Sequence, residues 1–304
     1  MNALMEKFMA GASKIGNSRH LLAIRDTLVG MIAITMIGSF MVLINNLGGI
    51  IKPWGTMMEA IFGPNWTTLG GDIYFGTMTF LGVFAVFGIA YKLANSYGDD
   101  GFEAMFVAAA CFFLLLPQLA HIEGLKNPVG GFIATSYFGA TALFTGIIVS
   151  ILATEVFVRL ARIKKLVINL PAGVPPAVAR SFQKLIPGMV TIFIFGLLGL
   201  LFRLASNGKY FNDWLNSVLV SPLSNAADSL PFAILVVLLV HVFWSVGLHG
   251  PNILGGITTP LFTKLGLENI DLYNTQVTDI NQYHVFAGSF LDAFVYLGGS
   301  GATI

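Results

Sequence analysis

Polar side chains cluster in one stretch of an otherwise apolar region, His241 to Pro260, which reads HVFWSVGLHGPNILGGITTP. The cluster consists of Trp244, His249, Asn252, Thr258 and Thr259. Helix-breaking residues are interleaved with it, namely Gly247, Gly250, Pro251, Gly255 and Gly256. An apolar run before the stretch places it at bilayer depth, where lipid cannot satisfy exposed backbone N–H and C=O groups. We therefore predict a broken segment that lines a wet cavity, and we interpret it as part of a sugar-binding site.

His249 is the candidate catalytic residue of this stretch. Histidine exchanges a proton near neutral pH, and an ionisable residue at bilayer depth tends to mark a pathway or a site. A general base beside an attacking hydroxyl accelerates a reaction by roughly 10²- to 10⁴-fold. Orienting a substrate hydroxyl is an equally good role. The structural alternative is a histidine that bonds a backbone carbonyl where the helix breaks.

Trp244 and Asn252 are candidate substrate-binding residues beside His249. Trp244 lies little more than one helical turn before His249, so its indole can form the floor of the same cavity and stack on a sugar ring. Asn252 offers both a donor and an acceptor, as sugar hydroxyls require. The alternatives are an interfacial tryptophan and a helix cap after Pro251.

A second polar group stands in FLDAFVYLGGSGATI, near the end of the sequence. Asp292 precedes a glycine-rich break and is predicted either to bind a sugar hydroxyl or to cap the preceding segment. The glycines around Ser300 permit close backbone approach, and Ser300 is a further candidate for sugar contact. Because no lysine follows at the required spacing, the run is not a phosphate-binding loop.

The composition places the chain in a membrane. Of its 304 residues, 56% are hydrophobic and 10% are charged, whereas a soluble domain has about 25% charged residues. The net charge of +1 argues against a nucleic-acid-binding protein, which needs a basic face. Cys111 is the single cysteine and lies in an apolar run, which indicates a core or lipid-facing side chain. Scattered histidines and sparse carboxylates predict neither a metal nor a cofactor.

Apolar segments of about 20 residues can cross the hydrocarbon core of a bilayer. The predicted spans are Leu22 to Ile44, Ile73 to Ala94, Phe102 to Ala120, Phe132 to Val158, Ile186 to Ala205 and Leu230 to Leu248, with a further apolar stretch at Val285 to Ile304. The polar interval Glu268 to His284 is predicted to be a loop. We therefore predict an all-α integral membrane protein, a multi-span helical bundle with amphipathic cytoplasmic helices.

Basic residues indicate which ends of the spans face the cytoplasm. One basic cluster precedes the first span and another follows the fourth: Lys7, Lys14, Arg19 and Arg25, then Arg159, Arg162, Lys164, Lys165, Arg180 and Lys184. An even number of crossings separates them, so both clusters and the Lys92 to Glu103 turn are predicted to lie inside. Glu155 and Arg159 are expected to form an i,i+4 ion pair. Arg25 and Asp26, at the mouth of the first span, are expected to be either a local salt bridge or interfacial anchors.

Three separated motifs carry a resemblance to a known family. They are GNSRHLLAIRDTLVGMIAITMIGSF near the start, AGVPPAVARSFQKLIPG in the middle and FWSVGLHGPNI later, and they occur in the family's order. Through essentially its whole length the chain resembles the enzyme IIC permease subunit of the bacterial phosphoenolpyruvate-dependent sugar phosphotransferase system, in the lactose/cellobiose/chitobiose family. The resemblance implies a multi-pass protein of the bacterial inner membrane with a cytoplasmic N-terminus.

The resemblance also implies a domain organisation. An amphipathic N-terminal helix covers residues 1–21, and a transmembrane scaffold and homodimerisation domain covers residues 22–206. The scaffold includes a cytoplasmic linker at residues 159–186, which is either a membrane anchor or a platform for a partner. Residues 207–304 form part of a substrate-binding domain with a re-entrant segment.

The resemblance assigns roles to particular residues. The family motif W-x-x-x-x-H-G-x-N falls on Trp244, His249, Gly250 and Asn252. It places His249 near the hydroxyl of a β-linked disaccharide, of the cellobiose, chitobiose or lactose type, that is to be phosphorylated. The phosphoryl donor is then a separate enzyme IIB with a phosphocysteine, and this chain is the membrane subunit of the phosphotransferase.

The sequence departs from the family pattern at its end. Family members continue beyond the GGSGAT motif, Gly298 to Thr303, into an Asn-Glu-Pro segment and further spans, whereas this sequence ends at Ile304. We therefore expect a C-terminally truncated substrate domain. Two alternatives remain open: a sugar transporter driven by an ion gradient, which would favour intramembrane carboxylates, and a non-transporting remnant.

Overall fold

The computed structural model describes residues 3–49, 51–120, 127–168, 170–171, 173–175, 182–245 and 249–295. Within these ranges the chain is mostly helical, which confirms the predicted fold class. The α-helices are α1 (Ala3–Gly16), α2 (Arg19–Gly30), α3 (Ile32–Asn46), α4 (Pro53–Phe62), α5 (Thr67–Thr77), α6 (Leu81–Ser96), α7 (Gly101–Leu114), α8 (Ala140–Ala161), α9 (Leu185–Ala205), α10 (Phe211–Leu215), α11 (Ser221–Ala227), α12 (Leu230–Ser245) and α13 (Gly250–Asn274). Two short strands, β1 (Leu119–Ala120) and β2 (Val129–Gly130), pair antiparallel.

Four helical stretches in the described ranges are long and apolar enough to cross a membrane. They are Ile32–Gly49, Thr67–Ser96, Thr141–Ala161 and Leu185–Ala205. A fifth crossing results if the bent pair Phe211–Ala227 and Leu230–Ser245, which meet at 79°, is counted as one span. The prediction of several membrane spans is therefore confirmed, although their boundaries differ.

The first predicted span, Leu22 to Ile44, is wrong as a single helix. Helix α2 ends at Gly30, α3 begins at Ile32, and Met31 caps both. The expected pair of Arg25 and Asp26 is present, with Nη2 and Oδ1 2.6 Å apart. Because α2 carries these charges and buries its apolar side against α6, it is an amphipathic helix that precedes the first crossing.

Several other predicted boundaries are corrected by local structure. The third predicted span corresponds to the 14-residue helix α7, which ends at Leu114 rather than Ala120 because the chain turns there into the β1–β2 ribbon, and which is too short to count among the four crossing stretches. The fourth begins at Ala140 rather than Phe132, after a 3₁₀ turn at Thr135–Phe138. The helical segment Phe211–Ala227 was not predicted at all. Of the last apolar stretch, residues 296–304 lie outside the described ranges, and the part before them contains a π-helical turn, Leu291–Val295.

Helices α6, α7 and α8 form the centre of the bundle. Small residues let their backbones approach, as at Gly82, where an added Cβ would lie 2.7 Å from the Phe138 carbonyl oxygen. Gly146 is similarly close to Val86. Such close approach is the usual basis of helix association in lipid. Cys111 is fully buried in this core, so the prediction of a packing role is confirmed.

Polar contacts join three segments at one end of the bundle. The Glu155 carboxylate on α8 is bonded by His20 of α2 at 2.8 Å, by Arg159 at 2.8 Å and by the Tyr97 hydroxyl. The hydrogen bond to Glu155 raises the pKa of Tyr97 above its usual value, and partial burial adds to the effect. Arg19 and Arg162 lie over the Tyr97 ring. These contacts bring together the start of α2, the α6–α7 turn and the end of α8. All three were predicted to lie on the same side of the membrane.

Lys184 adds the start of α9 to the same end. Its Nζ lies 2.5 Å from Asp99 Oδ1 and 3.3 Å from Glu103 Oε2. All three side chains are less than one fifth exposed. Removal of one partner from such a partly buried group leaves the other charges uncompensated. Of the predicted cytoplasmic linker at residues 159–186, residues 169, 172 and 176–181 lie outside the described ranges.

We expect Lys184→Met to destabilise the protein by about 1–3 kcal/mol, since two partly buried carboxylates lose their shared cation and residual solvent screening reduces the full cost. Thermal unfolding of the detergent-purified chain measures the effect. Lys165→Met, at an exposed position, is the matched control and should unfold like the unmodified chain. Equal unfolding temperatures for the two variants would contradict the prediction.

Candidate functional site

The helix break predicted near His249 is present, but it is shorter than expected. Helix α12 ends at Ser245, His249 is non-helical, and α13 then runs without interruption from Gly250 to Asn274. Pro251 fits the first turn of α13, where no backbone N–H is needed. The prediction that Gly255 and Gly256 also interrupt the helix is wrong. So is the prediction of a loop beginning at Glu268, because α13 continues past it.

Gly250 holds the two helices of this joint together. A Cβ at Gly250 would lie only 2.4 Å from the Val240 carbonyl oxygen and 2.8 Å from Val240 Cα. The start of α13 therefore rests directly on the backbone of α12. Only glycine permits this approach, which explains physically why a glycine follows His249.

Trp244 and His249 are in contact, as their spacing predicted. Their ring centroids are 4.6 Å apart with an interplanar angle of 50°. The indole Nε1 of Trp244 is buried and has no hydrogen-bond partner in the described part of the protein. A buried donor without a partner is costly, so this N–H is available to an acceptor on a bound molecule. His241, by contrast, is hydrogen-bonded through Nδ1 to the Val237 carbonyl at 2.7 Å, which suits a structural histidine.

A cavity of about 700 Å³ lies beside this pair of rings. Its walls are α3, α12, α13 and the irregular segment 288–291. Six hydroxyl side chains line it: Thr35, Ser39, Thr258, Thr259, Thr263 and Ser289. Phe40 and Phe262 contribute aromatic surface. Many hydroxyls and a few aromatic rings are what a neutral, hydroxyl-bearing ligand requires.

The predicted site residues stand in different relations to this cavity. Thr258 and Thr259 of the predicted polar cluster line it, whereas Trp244 and His249 lie outside its lining, at the α12–α13 joint. Gly250 is buried in that joint. Asn252 lies in the first turn of α13 and Asp292 in the π-helical turn, and only their backbones are described. Ser300 lies outside the described residues.

Sequence reasoning missed most of the hydroxyls that line the cavity. Only Thr258 and Thr259 belonged to the predicted cluster. Thr35 and Ser39 are one helical turn apart on α3, and Thr259 and Thr263 repeat this spacing on α13. Hydroxyls repeated at i and i+4 place their side chains on one helix face, and this signal in two apolar segments could have identified the facing walls.

A chain of charged side chains behind the cavity was also missed. Lys264 Nζ lies 2.5 Å from Glu268 Oε1, and Glu268 Oε2 lies 3.5 Å from His284 Nε2. His284 Nδ1 lies 3.0 Å from Asp228 Oδ2. Lys264 is buried within α13, so this half of the protein does contain ionisable groups at depth. Within the described ranges no group of three His, Cys, Asp or Glu side chains is arranged to hold a metal ion.

Residues 25–304 match the protein family described as "Phosphotransferase system, EIIC". The chain belongs to this family. The resemblance stated from sequence motifs is therefore confirmed, and the EIIC chain is similar along nearly its whole length to several characterised members.

Two curated relatives illustrate the similarity. The "PTS system cellobiose-specific EIIC component" of Geobacillus stearothermophilus is 35% identical over 305 residues, which cover 99% of this chain and 66% of the relative. The "Lichenan permease IIC component" of Bacillus subtilis (strain 168) is 34% identical over 305 residues, with the same coverage. The EIIC chain thus spans about two thirds of the length of these relatives.

A solved structure shows the same fold. The transporter ChbC, the IIC component from the N,N'-diacetylchitobiose-specific phosphotransferase system, superposes with a TM-score of 0.89 at 34% identity. The match covers 99% of this EIIC chain and 69% of ChbC. The helix order described above is therefore that of an EIIC transporter.

We expect Gly250→Ala to destabilise the EIIC chain by about 1–3 kcal/mol, because a methyl group at this position must displace the backbone of α12. Gly255→Ala is the matched control. A Cβ there would meet Thr259 Oγ1 at an ordinary 3.5 Å, and alanine is favoured over glycine inside a helix by up to about 1 kcal/mol. Thermal unfolding in detergent distinguishes the two variants, and a Gly250→Ala chain as stable as Gly255→Ala would contradict the described joint.

Proposed function

We propose that this EIIC chain binds a β-linked disaccharide and carries it across the membrane as the permease subunit of a phosphoenolpyruvate-dependent sugar phosphotransferase system. The observation that supports the proposal most directly is the hydroxyl-lined cavity between α3, α12 and α13 in a chain of the EIIC family. Its volume of about 700 Å³ falls within the range of small-molecule sites. The relatives are named for cellobiose, lichenan and diacetylchitobiose.

The site residues have different roles in the proposed binding. Serine and threonine hydroxyls of the cavity exchange hydrogen bonds with the sugar hydroxyls, and Phe40 and Phe262 cover its apolar ring faces. Trp244 and His249 stand at the joint next to the cavity, where the sugar end that receives the phosphoryl group would lie. The indole N–H of Trp244, which has no partner in the described residues, is a donor for a sugar oxygen there. Gly250, Asn252, Asp292 and Ser300 are the further substrate-binding residues of the proposal.

His249 would act on the hydroxyl that is phosphorylated. The hydroxyl oxygen attacks phosphorus on the phosphocysteine of a separate enzyme IIB, an O–P bond forms and the S–P bond breaks. The proton leaves the hydroxyl and is accepted by the imidazole of His249, while the electron pair of the broken bond stays on the cysteine sulfur. Proton acceptance by a positioned base contributes roughly 10²- to 10⁴-fold.

The domain assignment is part of the proposal. Residues 22–206 would form the scaffold and homodimer interface, and residues 207–304 would form part of the substrate-binding domain. The large apolar side chains exposed along α9, among them Phe193 and Leu204, suit contact with lipid or with a second copy of the chain. Burial of the α6–α8 core supports the scaffold role.

The end of the bundle that carries Arg19, Arg159 and Arg162 is called the basic end. It would face the cytoplasm, so the N-terminus would be cytoplasmic. Contacts at Tyr97 and Glu155 place the N-terminal basic cluster and the cluster after α8 at this one end. Positive residues in short loops favour the inner side of a bacterial membrane. Localisation in the bacterial inner membrane is supported separately, by the EIIC family match and by the apolar helices long enough to cross a bilayer.

Cysteine labelling tests this orientation. We expect Lys165→Cys to react with a membrane-impermeant maleimide only after intact cells are permeabilised, and Lys52→Cys, in the loop before α4, to react without permeabilisation. Both positions are exposed, and the native Cys111 is fully buried, so background labelling is low. Labelling of Lys165→Cys in intact cells would contradict a cytoplasmic basic end.

Sugar binding tests the function itself. We expect the detergent-purified chain to bind cellobiose, diacetylchitobiose or lactose in a scintillation proximity or calorimetric assay, and not the α-linked disaccharide maltose. His249→Ala should raise Kd about tenfold or more, as loss of one hydrogen bond to a buried polar group implies. His241→Ala is the matched control and should bind like the unmodified chain, because its imidazole bonds Val237 within α12.

Two results would count against the proposal. Equal binding by the His249 and His241 variants would remove His249 from the site. Sugar uptake into vesicles with an ion gradient and no phosphoryl donor would favour the ion-coupled transporter instead.

A further inference from the structure

The charged chain from Lys264 to Asp228 is attached to the wall of the cavity. Lys264 and Glu268 lie on α13, and Asp228 lies at the 79° bend between Phe211–Ala227 and α12. His284 stands between them, with one carboxylate facing each of its ring nitrogens. The side chain of Lys264 is 6% exposed, that of Asp228 19% and that of His284 21%. Glu268 is 35% exposed, so three of the four side chains are largely withdrawn from solvent, and the charged groups depend on one another.

Asp228 also holds the backbone that follows His284. Its Oδ1 accepts hydrogen bonds from the amides of Val285 at 2.8 Å and Phe286 at 3.0 Å. The backbone of His284 is fixed from a second side by Asn269 on α13, whose Oδ1 accepts from the His284 amide and whose Nδ2 donates to its carbonyl, both at 2.8 Å. The chain is thus bound to two helices just before it reaches the cavity.

The next residues form one side of the cavity. Gly288, Ser289 and Leu291 line it. The Gly288 amide donates to the Phe262 carbonyl at 2.8 Å, and a Cβ added to Gly266 would lie 2.9 Å from Gly288 Cα. Apolar packing holds this segment as well, since Leu291 is buried in one core cluster with Val236 and Leu265, and Phe286 and Phe290 pack against that cluster. The hydrogen bonds add a fixed direction to this packing.

Burial alone does not account for such an arrangement. A segment that only needed to be covered could be held by apolar contacts, which are often as stabilising as a buried ion pair. Directional hydrogen bonds to Val285 and Phe286 instead fix the segment in one register, which a surface that recognises hydroxyls requires. A binding wall that is correctly placed in only a fraction of molecules raises Kd by the inverse of that fraction.

We infer that Asp228 and His284 are positioning residues that hold segment 284–291 as a fixed wall of the sugar cavity, with Lys264 and Glu268 completing the charge balance. This inference rests on the proposed function, since it assigns the wall a role in sugar affinity. Neither residue lines the cavity. They act through Ser289 and the neighbouring backbone, so their loss changes affinity without removing a group that contacts sugar.

Hydrogen–deuterium exchange and sugar binding, measured on the full chain, test the inference together. Asp228→Ala should speed exchange in peptides that cover Val285 to Leu291 and raise Kd for the preferred disaccharide about tenfold, as expected if the wall is in place in about one molecule in ten. Asp228→Asn keeps an oxygen for the two amides but loses the charge that faces His284, so both effects should be smaller. This rescue by the conservative variant distinguishes positioning from general loss of stability.

Asp279→Ala is the matched control. Asp279 lies in the same loop and its Oδ1 accepts from the Asn281 amide at 3.0 Å, but it has no contact with the wall in the described structure. This variant should leave both Kd and exchange of the wall unchanged. Gly266→Ala supplies a second test, because it pushes on Gly288 without altering any charge. Since Gly266 also lines the cavity, this variant is measured by exchange as well as by affinity: it should speed exchange of Val285 to Leu291 and raise Kd even if Asp228→Ala does not fold.

The outcomes separate the two proposals. If the unmodified chain binds none of the sugars, the proposed function fails. If it binds sugar and both Asp228→Ala and Gly266→Ala bind equally well, or if exchange of the wall is unchanged in Asp228→Ala, the inference is overturned while the proposed function stands.

Discussion

Inside a bilayer, every backbone N–H or C=O group that leaves a helix needs a partner supplied by the protein. The second half of this EIIC chain leaves its helices at two places beside the cavity, the bend at Asp228 and the joint before Gly250. At the bend, Ser229 Oγ donates to the Ala226 carbonyl and accepts from the Phe232 amide, and the Asp228 carboxylate accepts from two backbone amides of a distant non-helical segment. At the joint, Gly250 lets the start of α13 rest on the backbone of α12. The walls of the cavity therefore depend on polar compensation at the bend and on close packing at the joint.

This compensation determines what the cavity offers to a ligand. The Thr35 and Thr258 hydroxyls donate to carbonyls of the preceding helical turn, so they present lone pairs to the interior. Such a surface favours a ligand that brings its own O–H donors, as a sugar does. The buried N–H of Trp244, with no partner among the described residues, offers the opposite polarity at the joint. The cavity therefore offers acceptors along its length and a donor at one end, an arrangement that suits a polyhydroxyl ligand bound in one orientation.

The features that could be predicted from the sequence are those that depend on composition or short-range spacing. Apolar length predicted the membrane spans, and i,i+4 spacing predicted the pair of Glu155 and Arg159. The contact of Trp244 with His249 also followed from spacing. Each involves residues within about one helical turn, so the local sequence contains the whole interaction.

The features that could not be predicted depend on packing between distant segments. Gly255, Gly256 and Pro260 weaken a helix intrinsically, yet α13 passes through all three because its neighbours bury it and tertiary packing overrides local propensity. At Met31 tertiary packing has the opposite effect, because it ends a helix that the apolar sequence would continue. Helix α2 packs its apolar side on α6, and α3 begins as a separate helix. The cavity itself combines residues from 35 to 291, and no local pattern brings those segments together.

The two halves of the EIIC chain are fixed by different interactions. The α6–α8 core relies on close backbone approach at small residues such as Gly82 and Gly146, and displacement there would lose many packing contacts at once. The wall of the cavity combines apolar packing of Phe286, Ala287 and Leu291 with hydrogen bonds from Asp228 and Asn269. Apolar packing alone leaves the arrangement of a segment less unique, whereas hydrogen bonds depend on direction, so the polar contacts set the register of segment 284–291. One side of this segment can therefore pack into the core while the other presents Ser289 and backbone groups to the cavity in a fixed position.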